Sequence, residues 1–331
     1  MASEKGQPLL AIVGPTGVGK SHLAVHLARR FGGEVINADS RQVYRGMDIG
    51  TAKPSLALRQ QVPHHLYDIL EPDQPFSLAL FLELAGRAIA QISQRGRLPI
   101  LLGGTGQYVW ALLEGWRVPR VPPDPALRRS LEERARREGR EALYRELKAR
   151  DPQAASHIDP RNLRRVVRAL EVTLALGSPF SQARKKGPPP YQALVLGLTT
   201  RSRQDLYQRL DRRIGEMMQA GWAQEVRSLL AKGYSPSLPS LTATGYADIA
   251  RALHGEISLE EAVQRIKRAH RRLARHQYTW FRPSDPRIRW VMVGEDLEER
   301  AEALVTSFLW EVQYLPTVSP SPTGRGRDGG A

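Results

Sequence analysis

The run Gly14-Pro15-Thr16-Gly17-Val18-Gly19-Lys20-Ser21 follows directly on the apolar stretch Pro8-Leu9-Leu10-Ala11-Ile12-Val13. A glycine, four residues and then Gly-Lys-Ser is the spacing of a phosphate-binding loop set between a strand and a helix. The glycines let the backbone turn successive N–H groups inward, where they cradle phosphate oxygens. Lys20 adds a point charge, and the Ser21 hydroxyl can ligate Mg²⁺. The helix predicted over residues 22–30 presents its positive end to the anion. The loop points to a polyphosphate without saying which one.

The surrounding pattern places this loop in an α/β fold. Strands are predicted over Leu9–Val13, Glu34–Ala38, His64–Ile69 and Leu98–Leu102. A helix is predicted over Phe76–Ser93, with Leu78, Phe81, Leu82, Ala85 and Ile89 on one face. Such alternation implies a parallel sheet flanked by helices, with ligands bound outside the carboxyl ends of the strands. Asp39 and Thr105 then share an edge with the phosphate loop. Arg117–Pro125 and Lys185–Pro190 are proline-rich breaks, with only helical patterns between them, about 126–150 and 160–176. The strand pattern returns at Ala193–Leu198. The division expected is a P-loop core over 1–116, an all-helical insertion domain over 117–190, the rest of the core over 191–313 and a disordered tail over 314–331.

The formal net charge of +15 is mostly arginine and favours a polyanionic partner. Cysteine is absent, which excludes disulfides, thiolate zinc sites and cysteine nucleophiles. The polar start Met1-Ala2-Ser3-Glu4-Lys5 carries no signal-peptide pattern, and no apolar run approaches membrane-spanning length. A cytoplasmic protein, monomeric and without a membrane partner, is the expectation.

The arginines are placed regularly. Arg161, Arg164, Arg165 and Arg168 fall on one helical face, and Leu163, Val166, Val167, Leu170 and Leu174 on the other. A basic face suits a phosphate backbone, or is an ordinary solvated face. Ser258-Leu259-Glu260-Glu261 reads as a capping box, opening a helix whose buried side repeats through Leu259, Val263, Ile266, His270 and Leu273. Between Arg265 and Arg282 stand seven Lys/Arg and no acid, ending at Tyr278-Thr279-Trp280-Phe281, aromatics for base stacking or for the core. No groove-reading DNA motif is present, so RNA is preferred. On a helix read over 205–232, Arg213 borders the apolar face, Arg209 lies one turn earlier and Arg212 points away. An arginine in that position needs an anion, either a core carboxylate or a bound diphosphate.

Simple phosphoryl transfer is poorly supported. The strand over 98–102 ends in Gly-Gly-Thr rather than an acid for Mg²⁺, and no Asn-Lys-x-Asp motif appears. Asn37 to Pro54, together with the phosphate loop, closely resembles the tRNA isopentenyltransferase (dimethylallyltransferase) family. Gly103-Gly104-Thr105-Gly106-Gln107-Tyr108, Asn162–Val172, Gly245-Tyr246 and Gln277–Arg282 extend the match over about 8–283, in the family's order.

The resemblance implies transfer of a dimethylallyl group from its diphosphate to N6 of adenosine-37 beside the tRNA anticodon. Asp39 then matches the catalytic base, and Thr105 a threonine near the reacting centre. Gly14 to Ser21, with Arg213, holds the diphosphate, and Ser21 carries Mg²⁺. Contacts with the anticodon stem-loop carry over to Asp39, Ser40, Arg41 and Gln42, and to Arg128, Arg164, Arg165 and Arg168. The chain departs from the common family pattern around Gly245-Tyr246 (Leu241-Thr242-Ala243-Thr244 before it) and at His276 before Gln277. Other readings are a nucleoside or nucleotide kinase with the insert as a lid, prenylation of free AMP, and a non-catalytic RNA-binding protein with a relic loop.

Overall fold

The computed structural model describes residues 6–314 apart from Arg120 and Arg184. Its strands are β1 (Gln7–Val13), β2 (Gly33–Asn37), β3 (His64–His65), β4 (Leu98–Leu102), β5 (Trp116–Arg117), β6 (Lys185–Lys186), β7 (Tyr191–Thr199) and β8 (Ile288–Met292). Six of them form one sheet in the order β3-β2-β4-β1-β7-β8, with every pairing parallel. β1 lies at its centre, and Leu9 to Val13 are fully buried. Such a strand must be apolar on both faces, which is why it reads as a continuous run.

Alternate residues feed two cores. Leu10, Ile12, Ile100 and Leu196 pack with helices Lys20–Phe31 and Leu297–Glu311. Leu9, Ala11, Val13 and Leu101 pack with helices Leu78–Gln94 and Gly106–Leu113. A further cluster around Trp222, Tyr246 and Ile266 joins helices Arg203–Gln219, Trp222–Ala231, Tyr246–Leu253 and Leu259–Trp280.

The chain separates into two compact units, Met1–Leu113 with Tyr191–Ala331, and Glu114–Pro190. The second holds helices Pro125–Glu138, Arg140–Arg150, Pro152–His157 and Leu163–Leu176 around Leu131, Leu143, Leu147 and Leu170. It also contains a short antiparallel pair, β5 with β6, which the helical pattern of this region does not predict. Residues 1–5 and 315–331, where the polar start and most of the tail were read, lie outside the described residues. Tyr314 packs on the core, and its hydroxyl donates to the Gly96 carbonyl at 3.1 Å.

Local expectations needed correction where glycine or an unusual backbone intervenes. β3 stops at His65 because Leu66 and Asp68 take φ of 65° and 54°, outside strand geometry. The helix expected over 126–150 breaks at Gly139 (φ 85°), and that over 205–232 breaks at Gly221 (φ 99°). On the basic helix Leu259–Trp280, the buried stripe is Ala262, Ile266, His270, Ala274 and Gln277, while Leu259 and Leu273 are exposed. Ser258 caps this helix by accepting from the Glu261 N–H, and Glu261 pairs with Arg265. Phe281 is fully buried, Trp280 packs beside it, and the Tyr278 hydroxyl bonds to that of Thr199, so these aromatics belong to the core.

Candidate active site

β1, β2 and β4 are parallel neighbours, so the loops after Val13, Asn37 and Leu102 leave the same sheet edge. The first of them needs its glycines. Gly14, Gly17 and Gly19 have φ of 132°, 88° and 95°, a region that L side chains rarely adopt. A Cβ on Gly14 would also fall on the Leu198 carbonyl. A cavity of about 450 Å³ opens here, lined by Gly17, Gly19, Lys20, Ser21, Asp39 and Arg213 among others.

Two of its cations, Lys20 and Arg213, are held by backbone carbonyls rather than by ion pairs. The Lys20 ammonium donates to the Pro15 carbonyl at 2.8 Å and Arg213 to the Ala52 carbonyl at 3.3 Å. Neither pairs with a carboxylate among the described residues. Desolvation, with the Arg213 charge behind it and Asp39 opposing, depresses the Lys20 pKa to about 7. Burial lowers that of Arg213, against the pull of Glu216 and Asp39. Arg209 and Arg212 line the same cavity, Arg212 being exposed and off the apolar face. Two neighbouring cations with no ion-pair partner are a site waiting for an anion.

Asp39 has the opposite tuning. Burial raises its pKa, against the Arg41 N–H, which donates to Oδ1 at 2.8 Å, and the charge of Lys20. Asn37, 1% exposed, fixes the turn that presents it: its Oδ1 accepts the Asp39 N–H at 2.9 Å, and its Nδ2 donates to the Leu66 and Asp39 carbonyls. Thr105 does not line the cavity. Its hydroxyl accepts the Ser40 N–H at 3.1 Å, which leaves its own proton available for donation.

Several residues needed by this arrangement have contacts that a motif-based reading does not assign. Gln277, buried, accepts the Thr16 N–H at 2.7 Å and donates to the Gly104 carbonyl at 3.1 Å, clamping two loops of the site together. Glu225 accepts the N–H groups of Asp48, Ile49 and Gly50 and the Tyr246 hydroxyl. Lys53 ties Asp48 to Asp68 at 2.5 Å each. Together they hold the segment around Ala52, whose φ of 54° is strained for a non-glycine. Spacing of charges with no fixed partner offers no signal for them. The Gly-Tyr motif has a local reason: Gly245 has a φ of 100° and a Cβ there would meet the Trp222 ring.

The residues carried over as RNA contacts divide. Arg41 is spent on the Pro239 and Ser240 carbonyls and the Thr242 hydroxyl, and Gln42 donates to the Thr51 and Ala52 carbonyls. In the helical unit, Arg128 and Arg168 both pair with fully buried Glu171, at 2.8 and 2.5 Å, and Arg161 with Asp159. The basic face therefore neutralises an acid of its own helix. Arg164 and Arg165 are exposed and have no ion-pair partner among the described residues.

A family model described as IPP transferase matches residues 42–284, and a second, isopentenyl transferase, matches 7–63. The chain belongs to the IPP transferase family. It is 52% identical over 303 residues to the tRNA dimethylallyltransferase of Thermomicrobium roseum, covering 90% of this chain and 92% of the relative. To that of Dehalococcoides mccartyi it is 48% identical, covering 91% and 93%. The full-length tRNA isopentenylpyrophosphate transferase of Bacillus halodurans shares its fold, with a TM-score of 0.69, 40% identity and coverage of 93% and 98%. A eukaryotic dimethylallyltransferase acting on tRNA matches with a TM-score of 0.79 at 27% identity, over 96% of this chain and 82% of that one. Family membership thus agrees with the parallel-sheet architecture that the strand pattern implied. Among the described residues, no helix is long and apolar enough to cross a membrane.

Proposed function

We propose that this protein transfers a dimethylallyl group from dimethylallyl diphosphate to N6 of adenosine-37 in tRNA, releasing diphosphate. One observation carries the reading. A phosphate loop with two cations that form no ion pair among the described residues, Lys20 and Arg213, shares a cavity with the carboxylate of Asp39. The strand beside the loop, β4, continues into Gly103-Gly104-Thr105, where a phosphoryl-transfer enzyme would hold its metal with an acid.

The chemistry then follows from charge. N6 is a weak nucleophile because its lone pair is delocalised into the ring, so a base must take its proton as the N–C bond forms. Asp39 is that base, and burial, which raises its pKa, makes it a better proton acceptor. As N6 bonds to C1 of the prenyl group, the C1–O bond breaks and negative charge grows on the diphosphate. Lys20, Arg213 and the loop N–H groups neutralise it where it develops. Thr105 accepts the Ser40 N–H and so holds the loop that presents Asp39.

No group of three or more His, Cys, Asp or Glu among the described residues could cage a metal ion. The donor set fits Mg²⁺ held through the Ser21 hydroxyl and substrate oxygens, the usual manner for this ion. Bound there, it supplies further charge neutralisation on the diphosphate. The acceptor base must leave its stack to reach Asp39, and the exposed Arg164 and Arg165 are among the cations available to the RNA backbone.

The test is label transfer. Protein, Mg²⁺, prenyl-labelled dimethylallyl diphosphate and unmodified tRNA with adenosines at 36 to 38 should give labelled RNA, and none when adenosine-37 becomes guanosine. Asp39→Ala should lower transfer by about 10²- to 10⁴-fold while tRNA still binds. Folded protein that labels no such tRNA would point to ATP-dependent phosphorylation of nucleosides instead.

A further inference from the structure

A smaller cavity, about 80 Å³, shares Thr16, Asp39, Arg213 and Gln277 with the phosphate-lined one. One part of its wall is hydrocarbon, from Leu210, Ile214, Met217, Ala243 and Leu273. Asp39 and Arg213 border both spaces, so the reacting carbon belongs at that border. The rest of a five-carbon chain suits the apolar walls.

Besides the shared residues just named, the polar residues of these walls are Arg41, Thr51, Thr244 and His270, and His270 is the most deeply buried of them. His270 is 8% exposed and lines this cavity. Its Nδ1 lies 3.1 Å from the Ile266 carbonyl one turn back. A carbonyl only accepts, so Nδ1 carries the proton and Nε2 is left as a lone-pair acceptor. Burial above all lowers the His270 pKa and the Arg213 charge lowers it further, so the ring is neutral at pH 7. Nε2 has no hydrogen-bond partner among the described residues, and the Trp222 ring meets the imidazole edge to face at 6.3 Å between centroids. A dimethyl terminus would leave this acceptor dry, and a buried acceptor without a donor is costly.

We propose that His270 selects for a hydroxyl at the far end of the prenyl chain, so that the enzyme also transfers a terminally hydroxylated five-carbon allylic group from its diphosphate. This rests on the prenyl-transfer reading above. Bond changes are the same for either donor: N6 bonds to C1, the C1–O bond breaks, the N6 proton goes to Asp39 and diphosphate leaves. The terminal hydroxyl is a spectator whose O–H donates to His270 Nε2.

The experiment is a competition in one tube. Wild-type protein, Mg²⁺ and limiting tRNA receive dimethylallyl diphosphate and its 4-hydroxylated counterpart in equal amounts, and the two modified nucleosides are counted by mass spectrometry. Comparable yields of both are expected from the wild type. His270→Leu, which removes the acceptor, should shift the ratio toward the dimethylallyl product by about tenfold or more. His270→Asn, which keeps an acceptor, should shift it less. The wild-type ratio stands as a test even if a variant does not fold. A wild type that yields only the dimethylallyl product overturns the proposal and leaves the transfer reading intact. So does a ratio that His270→Leu leaves unmoved. No product from either donor removes the transfer reading itself, and this proposal with it.

Discussion

Lys20 and Arg213 in the sheet unit, and Arg128 and Arg168 in the helical unit, are all half-buried cations, yet they are balanced in opposite ways. Arg128 and Arg168 close on one buried carboxylate, Glu171, whose Oε1 also accepts the Asp124 N–H at 2.8 Å. Their charge is used inside the fold. Lys20 and Arg213 donate to backbone carbonyls, and the Arg213 charge depresses the protonation of Lys20. Their charge awaits something from outside. A buried cation thus marks a binding site when it has no ion-pair partner, and marks architecture when that partner is built in.

The sharpest way to break this contrast is to remove one arginine from each side. Arg213→Ala should lower kcat by about 10²- to 10³-fold, the cost of losing one donor aimed at developing charge, with little change in the melting temperature. Arg128→Ala should do the reverse. It leaves Glu171 buried and under-neutralised, which should cost about 3 kcal/mol of stability in urea unfolding. Glu171→Gln in the same chain should recover most of that loss. If Arg128→Ala instead unfolds normally and loses only tRNA binding, its pairing with Glu171 is incidental.

Protonation offers a smaller and more graded test. Free Lys20 titrates near pH 7 because it is desolvated beside Arg213. A bound diphosphate supplies the missing anion and raises that pKa. Above pH 7, then, the complex carries more protons than the free protein. Affinity for dimethylallyl diphosphate should fall with rising pH, by up to about tenfold per unit until the bound pKa is reached. Calorimetry in buffers of different ionisation enthalpy should show proton uptake at pH 8. Lys20→Met should abolish that uptake, and its persistence would move the titrating group elsewhere.

The contrast also explains what sequence could and could not disclose. The sheet was legible because β1 and β4 are continuous apolar runs, and the site's edge because the phosphate loop and Asp39 follow parallel strands. Partners were not legible. Glu171 stands three residues after Arg168 on the same helix, within local reach, but only tertiary structure brings in Arg128, 43 residues away. Gln277 sits in a recognisable motif, while the N–H it accepts belongs to Thr16, 261 residues distant. The helix breaks at Gly139 and Gly221 were hidden because one glycine in a long amphipathic pattern costs helix only about 1 kcal/mol. Periodicity reads faces; it does not read which charge on a face already has a partner.

That last limit bears on the RNA surface, where the smallest effect is expected. Periodicity put Arg164, Arg165 and Arg168 on one face, yet only Arg164 and Arg165 are exposed and unpaired among the described residues. A cation already committed to Glu171 has less to offer a phosphate than one surrounded by water. Replacing both Arg164 and Arg165 by Gln should therefore weaken tRNA binding several-fold near physiological salt. The slope of log affinity against log salt should become shallower by about 0.7 to 0.9 for each phosphate that the protein no longer neutralises. Stability should not change, since neither side chain is buried. Arg168→Gln should behave differently, losing stability along with any binding. If the slope is the same after Arg164 and Arg165 are removed, the helical unit meets RNA through another surface, and the exposed, unpaired arginines there are solvated charge and nothing more.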